Sequence, residues 1–247
     1  MKKGVIVIHG LTGGPANMAP LSESLARSGF KVVTPLLPGH GTTLEDLSKR
    51  SWQEWQEKVA GTFDDLKNEV DEIFCAGLSL GALLTLNLAL DPSRRLKKIA
   101  CIGTPLKLSP ILEKIALPLT HIPPIRGLFK HSKKDWEEGV ADKIGRELYQ
   151  GSSYAKIPIH SIWELQRLQK EALKRLPELK TPTILIHSHR DKVALPLNVE
   201  LFCKTATQIK PELIWLEKSG HVATLDMEKD AVAHAIIRFF TDPVLKP

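Results

Sequence analysis

The chain has 247 residues, 43% of them apolar, and a formal net charge of +6. This length and apolar content fit one large α/β domain or two small ones and exclude a disordered chain. Lysine and arginine are dispersed among acidic residues without interleaved aromatic residues, so we interpret them as solvated surface and predict no nucleic-acid partner.

The cysteines and the N-terminus indicate the compartment. Cys75 and Cys101 lie in strand-like apolar runs where buried free thiols are common, and Cys203 makes the number odd. The N-terminal apolar run is too short for a signal peptide, and no segment reaches membrane-spanning length. We therefore expect a soluble cytoplasmic protein without stable membrane insertion.

The first element is a β-branched run at residues 4–8, typical of a strand buried on both faces, and a glycine-rich loop at residues 9–14 follows it. The loop lacks the glycine spacing and the Gly-Lys-Ser/Thr ending of phosphate-binding loops. It fits an oxyanion loop, in which the backbone N–H of Leu11 would face a reaction site. We interpret His9 as a hydrogen-bonded organiser of this loop rather than a catalytic base.

The following segment alternates helices and strands. We predict a helix at residues 18–28 ended by Gly29, a strand at residues 31–35, and an amphipathic helix at residues 52–69. His40, in the loop between them, is a rival for the role of catalytic base. We interpret it as structural.

Residues 72–90 join a short apolar run, the sequence Gly-Leu-Ser-Leu-Gly at residues 77–81, and an apolar helix pattern. A serine between such glycines, where a strand passes into a helix, is typical of a nucleophile elbow and predicts a positive φ at Ser79. The helix start would aim its free N–H groups, including that of Leu80, at a developing oxyanion. Chance alone supplies the motif in about a tenth of chains of this length, so an ordinary glycine turn stays open here.

A strand is predicted at residues 96–103, and the pattern then changes. Residues 105–177 contain no convincing strand, and their first half is interrupted by prolines. A strong helix is predicted at residues 161–176, with Ser161 and Glu164 as its capping box. We expect this insertion to form a helical cap over the active site.

The core resumes after the insertion in repeating βα units. The predicted elements are a strand at 182–187, a helix at 197–205, a strand at 213–216 and a helix at 228–240. Short connections of this kind predict a mostly parallel sheet with right-handed crossovers. The core would comprise residues 1–104 and 178–247.

Ser79, Asp191 and His221 each lie in the loop immediately after a predicted strand. The carboxyl ends of parallel strands share one edge of a sheet, so these side chains are expected to meet there. His221 would take the serine proton, and Asp191 would orient the imidazole and stabilise its charged form. The order Ser, Asp, His is the one this kind of site demands.

Two alternatives compete for these residues. His187, His189 and Asp191 alternate along the chain as in some metal-ligand sets, but Lys192 stands where a further ligand pair would continue, so we predict no metal. Asp226 would be an alternative acid. It precedes the last predicted helix by two residues, which favours a role as its N-cap.

Five segments carry a resemblance to a known family: residues 9–14, 37–41, 77–81, 189–191 and 219–226. They resemble the small bacterial carboxylesterases and monoacylglycerol lipases of the α/β-hydrolase superfamily. The run Ser-Gly-His-Val-Ala-Thr-Leu-Asp at residues 219–226 is more specific than the elbow.

The resemblance implies an α/β-hydrolase fold, with a mostly parallel sheet of about six or seven strands flanked by helices and a helical cap inserted before the Asp-bearing strand. It implies ester hydrolysis through an acyl-serine intermediate with no metal or organic cofactor. By motif, Ser79 is the nucleophile, Asp191 and His221 complete the triad, and the N–H groups of Leu11 and Leu80 form the oxyanion hole. Family cores usually begin with further strands, so we expect a sheet shorter at one edge.

The predicted function is a carboxylesterase acting on short- to medium-chain esters. A monoacylglycerol lipase is the nearest alternative, because the apolar residues 106–129 would line an acyl tunnel or touch a membrane surface. A non-catalytic binding protein of the same fold is the alternative from another class, and the complete triad disfavours it. The expected partner is a small ester or monoglyceride, and the oligomeric state is left open.

Overall fold

The computed structural model describes residues 1–108 and 131–243. Its strands are β1 (Lys3–Ile8), β2 (Lys31–Val33), β3 (Glu72–Leu78), β4 (Ile99–Ile102), β5 (His131–Lys133), β6 (Lys156–Pro158), β7 (Thr183–Ser188) and β8 (Glu212–Leu216). Its α-helices are α1 (Ala19–Arg27), α2 (Leu44–Leu47), α3 (Trp52–Leu66), α4 (Leu80–Ala89), α5 (Trp136–Gly139), α6 (Lys143–Gly151), α7 (Ile159–Arg175), α8 (Leu197–Thr205) and α9 (Lys229–Thr241). Short 3-10 helices occupy Pro15–Met18 and Leu176–Glu178.

Six strands form one sheet in the order β2-β1-β3-β4-β7-β8, and every neighbouring pair is parallel. The predicted parallel sheet is confirmed. Successive residues of β1 point to opposite faces, so Ile6 and Ile8 join one apolar cluster while Val5 and Val7 join another. Helices α3, α4, α7 and α8 cover the first face, and α1 and α9 cover the second. Such burial stabilises the fold by about 1.5–3 kcal/mol per large aliphatic side chain.

The long insertion between β4 and β7 differs from its prediction in one respect. Strands β5 and β6 form a small antiparallel sheet in which Ser132 pairs with Ile157, so the expectation of no strand there was wrong. Each strand has only three residues, His-Ser-Lys and Lys-Ile-Pro, which are too few to show an alternation of apolar and polar residues. The predicted apolar lining at residues 106–129 lies mostly outside the described residues.

The start of α7 also corrects a prediction. The helix begins at Ile159, two residues earlier than expected, so Ser161 and Glu164 do not form a capping box. The Ser161 hydroxyl instead donates to the carbonyl of Leu47 at 3.3 Å, and the Glu164 carboxylate accepts from the N–H of Trp52 at 3.1 Å. Both side chains bond to segments that are distant in the sequence. A local sequence pattern does not predict such contacts.

The sheet continues past the ends of its strands toward the site. The N–H of Ser79 donates to the carbonyl of Ile102 at 2.9 Å, and that of Gly103 donates to Ile186 at 2.9 Å. The winding reverses between β1 and β3, where sites form in parallel sheets of this kind. Within the described residues, no helix is both long enough and apolar enough to cross a membrane.

Candidate active site

Ser79 stands in a strained turn between β3 and α4, with φ +56° and ψ −115°. The turn is tight because a methyl group on Gly77 would lie 2.1 Å from the carbonyl oxygen of Gly81. A methyl group on Gly81 would lie 2.2 Å from the carbonyl oxygen of Ile8. No side chain fits at either glycine, so the predicted positive φ and the predicted need for glycine are both confirmed.

The glycine-rich loop lies directly against this serine. A methyl group on Gly10 would be 3.4 Å from the Cβ of Ser79. Next in the loop, Thr12 has φ +65°, and its hydroxyl donates to the carbonyl of Leu11 at 2.5 Å. Among the hydrogen bonds of the described residues, none is donated by the N–H of Leu11 or Leu80. Both amides therefore lack a protein acceptor among the described residues.

Asp191 and His221 form a buried pair, with 2% and 7% of their surfaces exposed. The imidazole Nδ1 donates to Oδ2 of Asp191 at 2.7 Å. The other oxygen of the carboxylate accepts from the N–H groups of Val193 and Ala194 at 2.9 and 2.7 Å. This arrangement fixes the proton on Nδ1 and leaves the lone pair on Nε2, which is the tautomer that a general base requires.

Gly103 separates the pair from the serine. Its φ is +53°, and a methyl group there would lie 3.3 Å from both Asp191 Oδ2 and His221 Nδ1. The N–H of Ser79 donates to the carbonyl of Ile102, the residue before Gly103. The serine and the His-Asp pair therefore lie on either side of the end of β4. No hydrogen bond joins the Ser79 hydroxyl to His221 among the described residues. Such bonds are often long without substrate and shorten when substrate binds.

Gly103 is a residue of the candidate site that was not predicted from the sequence. The only available signal was a glycine directly after an apolar run, which also marks an ordinary strand end.

The rings of His9 and His40 form an edge-to-face pair, with centroids 4.8 Å apart and an angle of 63° between the ring planes. His9 accepts from the N–H of Leu37 at 3.2 Å through Nε2 and donates to the carbonyl of Gly10 at 2.9 Å through Nδ1. Burial lowers the pKa of His9 to about 4, so its ring is neutral. The interpretation of His9 as a loop organiser is confirmed.

His40 is held in the same way. Its Nδ1 lies 3.2 Å from the carbonyl of Pro38, which also accepts from the indole N–H of Trp55 at 3.0 Å. Burial, with a smaller contribution from the neighbouring His9, lowers the pKa of His40 to about 3. A ring with so low a pKa is a poor general base, which supports a structural role for His40.

The alternating residues considered as metal ligands have separate partners. His187 donates through Nε2 to the carbonyl of Ala194 at 2.6 Å, and that nitrogen is 3.7 Å from Asp191 Oδ2. His189 is half exposed and stacks on Trp215 with ring centroids 4.3 Å apart. Over residues 1–108 and 131–243, no group of three or more His, Cys, Asp or Glu side chains is arranged to hold a metal ion.

Asp226 was predicted to cap the last helix, and this prediction was wrong. Helix α9 begins at Lys229 and has no side-chain cap. The carboxylate of Asp226 is fully buried and does not cap this helix. It accepts four backbone N–H groups at 2.6–2.8 Å, those of Ala141, Asp142, Gly220 and Met227. Because Nδ1 of His221 is bonded to Asp191, Asp226 is not the acid of the pair.

A parallel sheet with helices on both faces, a strained serine at the start of a buried helix, and a buried His-Asp pair beside it define a class. The protein is an α/β hydrolase of the serine-hydrolase type.

The chain belongs to the family described as serine aminopeptidase, S33, whose profile matches residues 1–228. It is 30% identical over 244 residues to a thermostable monoacylglycerol lipase of Bacillus sp. strain H-257, covering 96% of this chain and 90% of the lipase. It is 24% identical over 238 residues to a carboxylesterase of Bacillus subtilis strain 168, covering 96% and 92%.

A solved structure associated with the metagenome-derived lipolytic enzymes LipS and LipT superposes with a TM-score of 0.82 at 32% identity, covering 96% of this chain and 94% of that one. The resemblance inferred from the motifs and the α/β-hydrolase fold are confirmed. The predicted class of enzyme, a hydrolase of esters, is confirmed with them.

Proposed function

We propose that the protein is a carboxylesterase that cleaves short- to medium-chain carboxylic esters, with Ser79 as nucleophile, His221 as general base and Asp191 as the acid that orients it. The observation that carries this proposal is the buried 2.7 Å hydrogen bond between Asp191 and His221, one strand end away from Ser79. A neutral imidazole with its proton fixed on Nδ1 is prepared to accept the serine proton on Nε2.

The reaction has two halves. As Ser79 Oγ attacks the ester carbonyl, His221 Nε2 takes the serine proton and then gives it to the departing alcohol, leaving an acyl-serine. In the second half, water attacks the acyl-serine and gives a proton to His221 Nε2, which returns it to Ser79 Oγ as the Oγ–acyl bond breaks and the carboxylic acid leaves. The imidazolium formed in each half is stabilised by Asp191, which accepts its Nδ1–H at 2.7 Å.

The backbone N–H groups of Leu11 and Leu80 are proposed to bind the oxyanion. Leu80 is the first residue of α4, so its N–H adds the positive end of the helix dipole. The close contact between Gly10 and Ser79 brings the amide of Leu11 near the same place. One such donor contributes about 10²–10³ in rate in other serine hydrolases.

The insertion at residues 105–177 is proposed to act as a cap that forms the substrate pocket. Its residue Tyr154 contacts both loops beside the site: its N–H donates to the carbonyl of Thr12 at 2.9 Å, and its hydroxyl donates to Gly39 at 3.1 Å. The same hydroxyl accepts from the N–H of Thr42 at 2.7 Å. These contacts tie the cap to the proposed oxyanion loop.

A monoacylglycerol lipase is the second candidate, and the relative that bears that name supports it, at 30% identity over nearly the whole chain. Both candidates share the same reaction and differ only in the acyl and alcohol groups that the pocket accepts. The substrate is in either case a small ester or a monoglyceride.

Labelling with a fluorophosphonate tests the shared reaction, because only an activated serine reacts with it. Peptide mapping should place the label on the peptide that contains Ser79. Ser79→Ala should abolish labelling and lower turnover by roughly 10⁴-fold or more at an unchanged melting temperature. A label on another residue, or turnover close to that of the native protein, would show that Ser79 is not the nucleophile.

A series of aryl esters of increasing chain length, measured beside monoacylglycerols, distinguishes the two candidates. The carboxylesterase proposal expects the highest kcat/KM for short- to medium-chain esters. A clear preference for long-chain monoglycerides would select the lipase instead. A folded protein that hydrolyses neither would be a binding protein of this fold.

A further inference from the structure

The loop that carries His221 has a specified acceptor for each of its backbone N–H groups. We call residues 217–222 the histidine loop. The carboxylate of Glu228 accepts from residues 217, 218 and 219 at 3.1, 2.9 and 2.8 Å. The carboxylate of Asp226 accepts from Gly220 at 2.6 Å. The last two N–H groups, those of His221 and Val222, donate to the carbonyls of Glu138 and Gly139 at 3.4 and 2.9 Å.

The two carboxylates differ in what else they bind. The backbone N–H groups that Glu228 accepts all belong to the histidine loop. Asp226 also binds the insertion, and it does so symmetrically. Its Oδ2 accepts from Gly220 and from Ala141 at 2.6 and 2.8 Å, and its Oδ1 accepts from Met227 and from Asp142 at 2.8 Å each.

The insertion and the histidine loop are also in close steric contact. A methyl group on Gly220 would lie 2.6 Å from the carbonyl oxygen of Glu138 and 2.8 Å from that of Gly139. The buried carboxylate of Asp226 also lies at the N-terminus of helix α6, because Asp142 is the N-cap residue of that helix. A negative charge is stabilised at this end of a helix.

We propose that Asp226 is a positioning residue that joins residues 138–142 of the insertion to the histidine loop and thereby holds His221 in its working orientation. The insertion then supports the base as well as covering the site. This inference rests on the proposed role of His221 as general base. Glu228 fixes only the start of the loop, whereas Asp226 fixes the residue before His221 and the segment on which His221 rests.

Asp226→Asn tests the joint with little change in size. The substitution replaces one carboxylate oxygen with an NH₂ group, which cannot accept a hydrogen bond. Each oxygen accepts one N–H from the insertion and one from the chain around the histidine loop. In either orientation of the asparagine amide, its NH₂ group therefore faces one N–H of the insertion and one N–H of the chain around the histidine loop.

Asp142→Ala is the matched control. The side chain of Asp142 accepts from the N–H of Gly145 at 2.7 Å and so caps helix α6. Its removal weakens the same helix but leaves the backbone N–H of Asp142 free to donate to Asp226. Any effect of Asp226→Asn that arises only from a weakened insertion should then appear in Asp142→Ala as well.

The measurement is kcat and KM for a short aryl ester, together with the rate of fluorophosphonate labelling, well below the melting temperature of each variant. Asp226→Asn should lower kcat and the labelling rate by about 10–100-fold while KM stays within twofold, because the base is misplaced and the pocket is kept. Asp142→Ala should keep all three within twofold.

The inference is wrong if Asp226→Asn retains kcat within twofold, if it raises KM alone, or if Asp142→Ala loses as much kcat. Hydrogen exchange of the native protein provides a test should Asp226→Asn not fold. Residues 138–142 and the histidine loop should show the same protection from exchange. Rapid exchange in residues 138–142 with protection in the histidine loop would contradict the proposed connection through Asp226. Full activity of Ser79→Ala would instead refute the proposed function, whatever the result at Asp226.

Discussion

The two sides of the site are held by different forces. On the nucleophile side, Ser79 is fixed by backbones packed so closely that Gly77 and Gly81 have no room for a methyl group. On the base side, His221 is fixed by hydrogen bonds that it donates to the carboxylate of Asp191 and to the carbonyl of Glu138, which lie far away in the sequence. The nucleophile side should therefore be sensitive to substitutions that add atoms, and the base side to substitutions that remove a hydrogen-bond acceptor.

The largest effect should come from His221, the proposed base. His221→Ala removes the only imidazole bonded to Asp191 among the described residues and should lower kcat by roughly 10⁴-fold with little change in melting temperature. His40→Ala is the comparison, because His40 packs beside the nucleophile side without contacting Asp191. It should lower the melting temperature and leave most of the turnover of the folded enzyme. The reverse result for the two variants would mean that the base is His40.

Gly81→Ala should have the largest effect on stability. The added methyl group would lie 2.2 and 2.8 Å from the carbonyl oxygens of Ile8 and His9, which belong to the backbone and have no easy way to move. We expect a loss of about 3 kcal/mol or more in the free energy of unfolding, measured by urea denaturation.

Gly61→Ala in helix α3 is the control for this substitution, since nothing lies within 4 Å of the methyl group it would add. It should raise stability by about 0.5–1 kcal/mol, because alanine favours the helix. Equal effects at the two glycines would refute the account of the elbow as a close contact of backbones.

Acid should weaken the nucleophile side through its buried histidines. In the unfolded chain they bind protons below their ordinary pKa of 6.5, whereas burial lowers the folded pKa of His9 to about 4 and that of His40 to about 3. Between these values the unfolded state binds more protons, so the free energy of unfolding falls as the pH falls. We expect a loss of about 2–4 kcal/mol from pH 7 to pH 5, measured by urea denaturation.

His40→Gln should remove about half of the contribution of these two histidines to that pH dependence, because only the ring of His9 would remain of the pair. An unchanged slope would show that the stability does not depend on these two rings.

Gly103→Ala should have the smallest effect, because it lies between the two sides and its contacts are less close. The methyl group would lie 3.3 Å from Asp191 and His221, and the positive φ of +53° disfavours alanine. We expect a loss of about 1–2 kcal/mol in stability and a severalfold lower kcat, measured on a short aryl ester. An unchanged kcat with the same loss of stability would mean that Gly103 does not keep the His-Asp pair in place.

The sequence predicted the nucleophile side more completely than the base side. The elbow and the glycine-rich loop are each one continuous segment of the chain. Their glycines directly indicate positions where a side chain would not fit. Ser79, Asp191 and His221 were predicted from strand ends and chain order, which need no knowledge of contacts. Asp226 was misread because a carboxylate just before a helix has a familiar local meaning. Two of its four partners, Ala141 and Asp142, are 85 and 84 positions away along the chain.

The contacts of the histidine loop limit how this enzyme can be recombined with its relatives. Glu138 and Gly139 supply carbonyls to that loop, and Ala141 and Asp142 supply N–H groups to Asp226. A chimaera that takes foreign sequence only at residues 143–177 would exchange most of the described insertion and keep the native contacts of the histidine loop. A graft that begins before residue 138 would have to bring its own matching histidine loop.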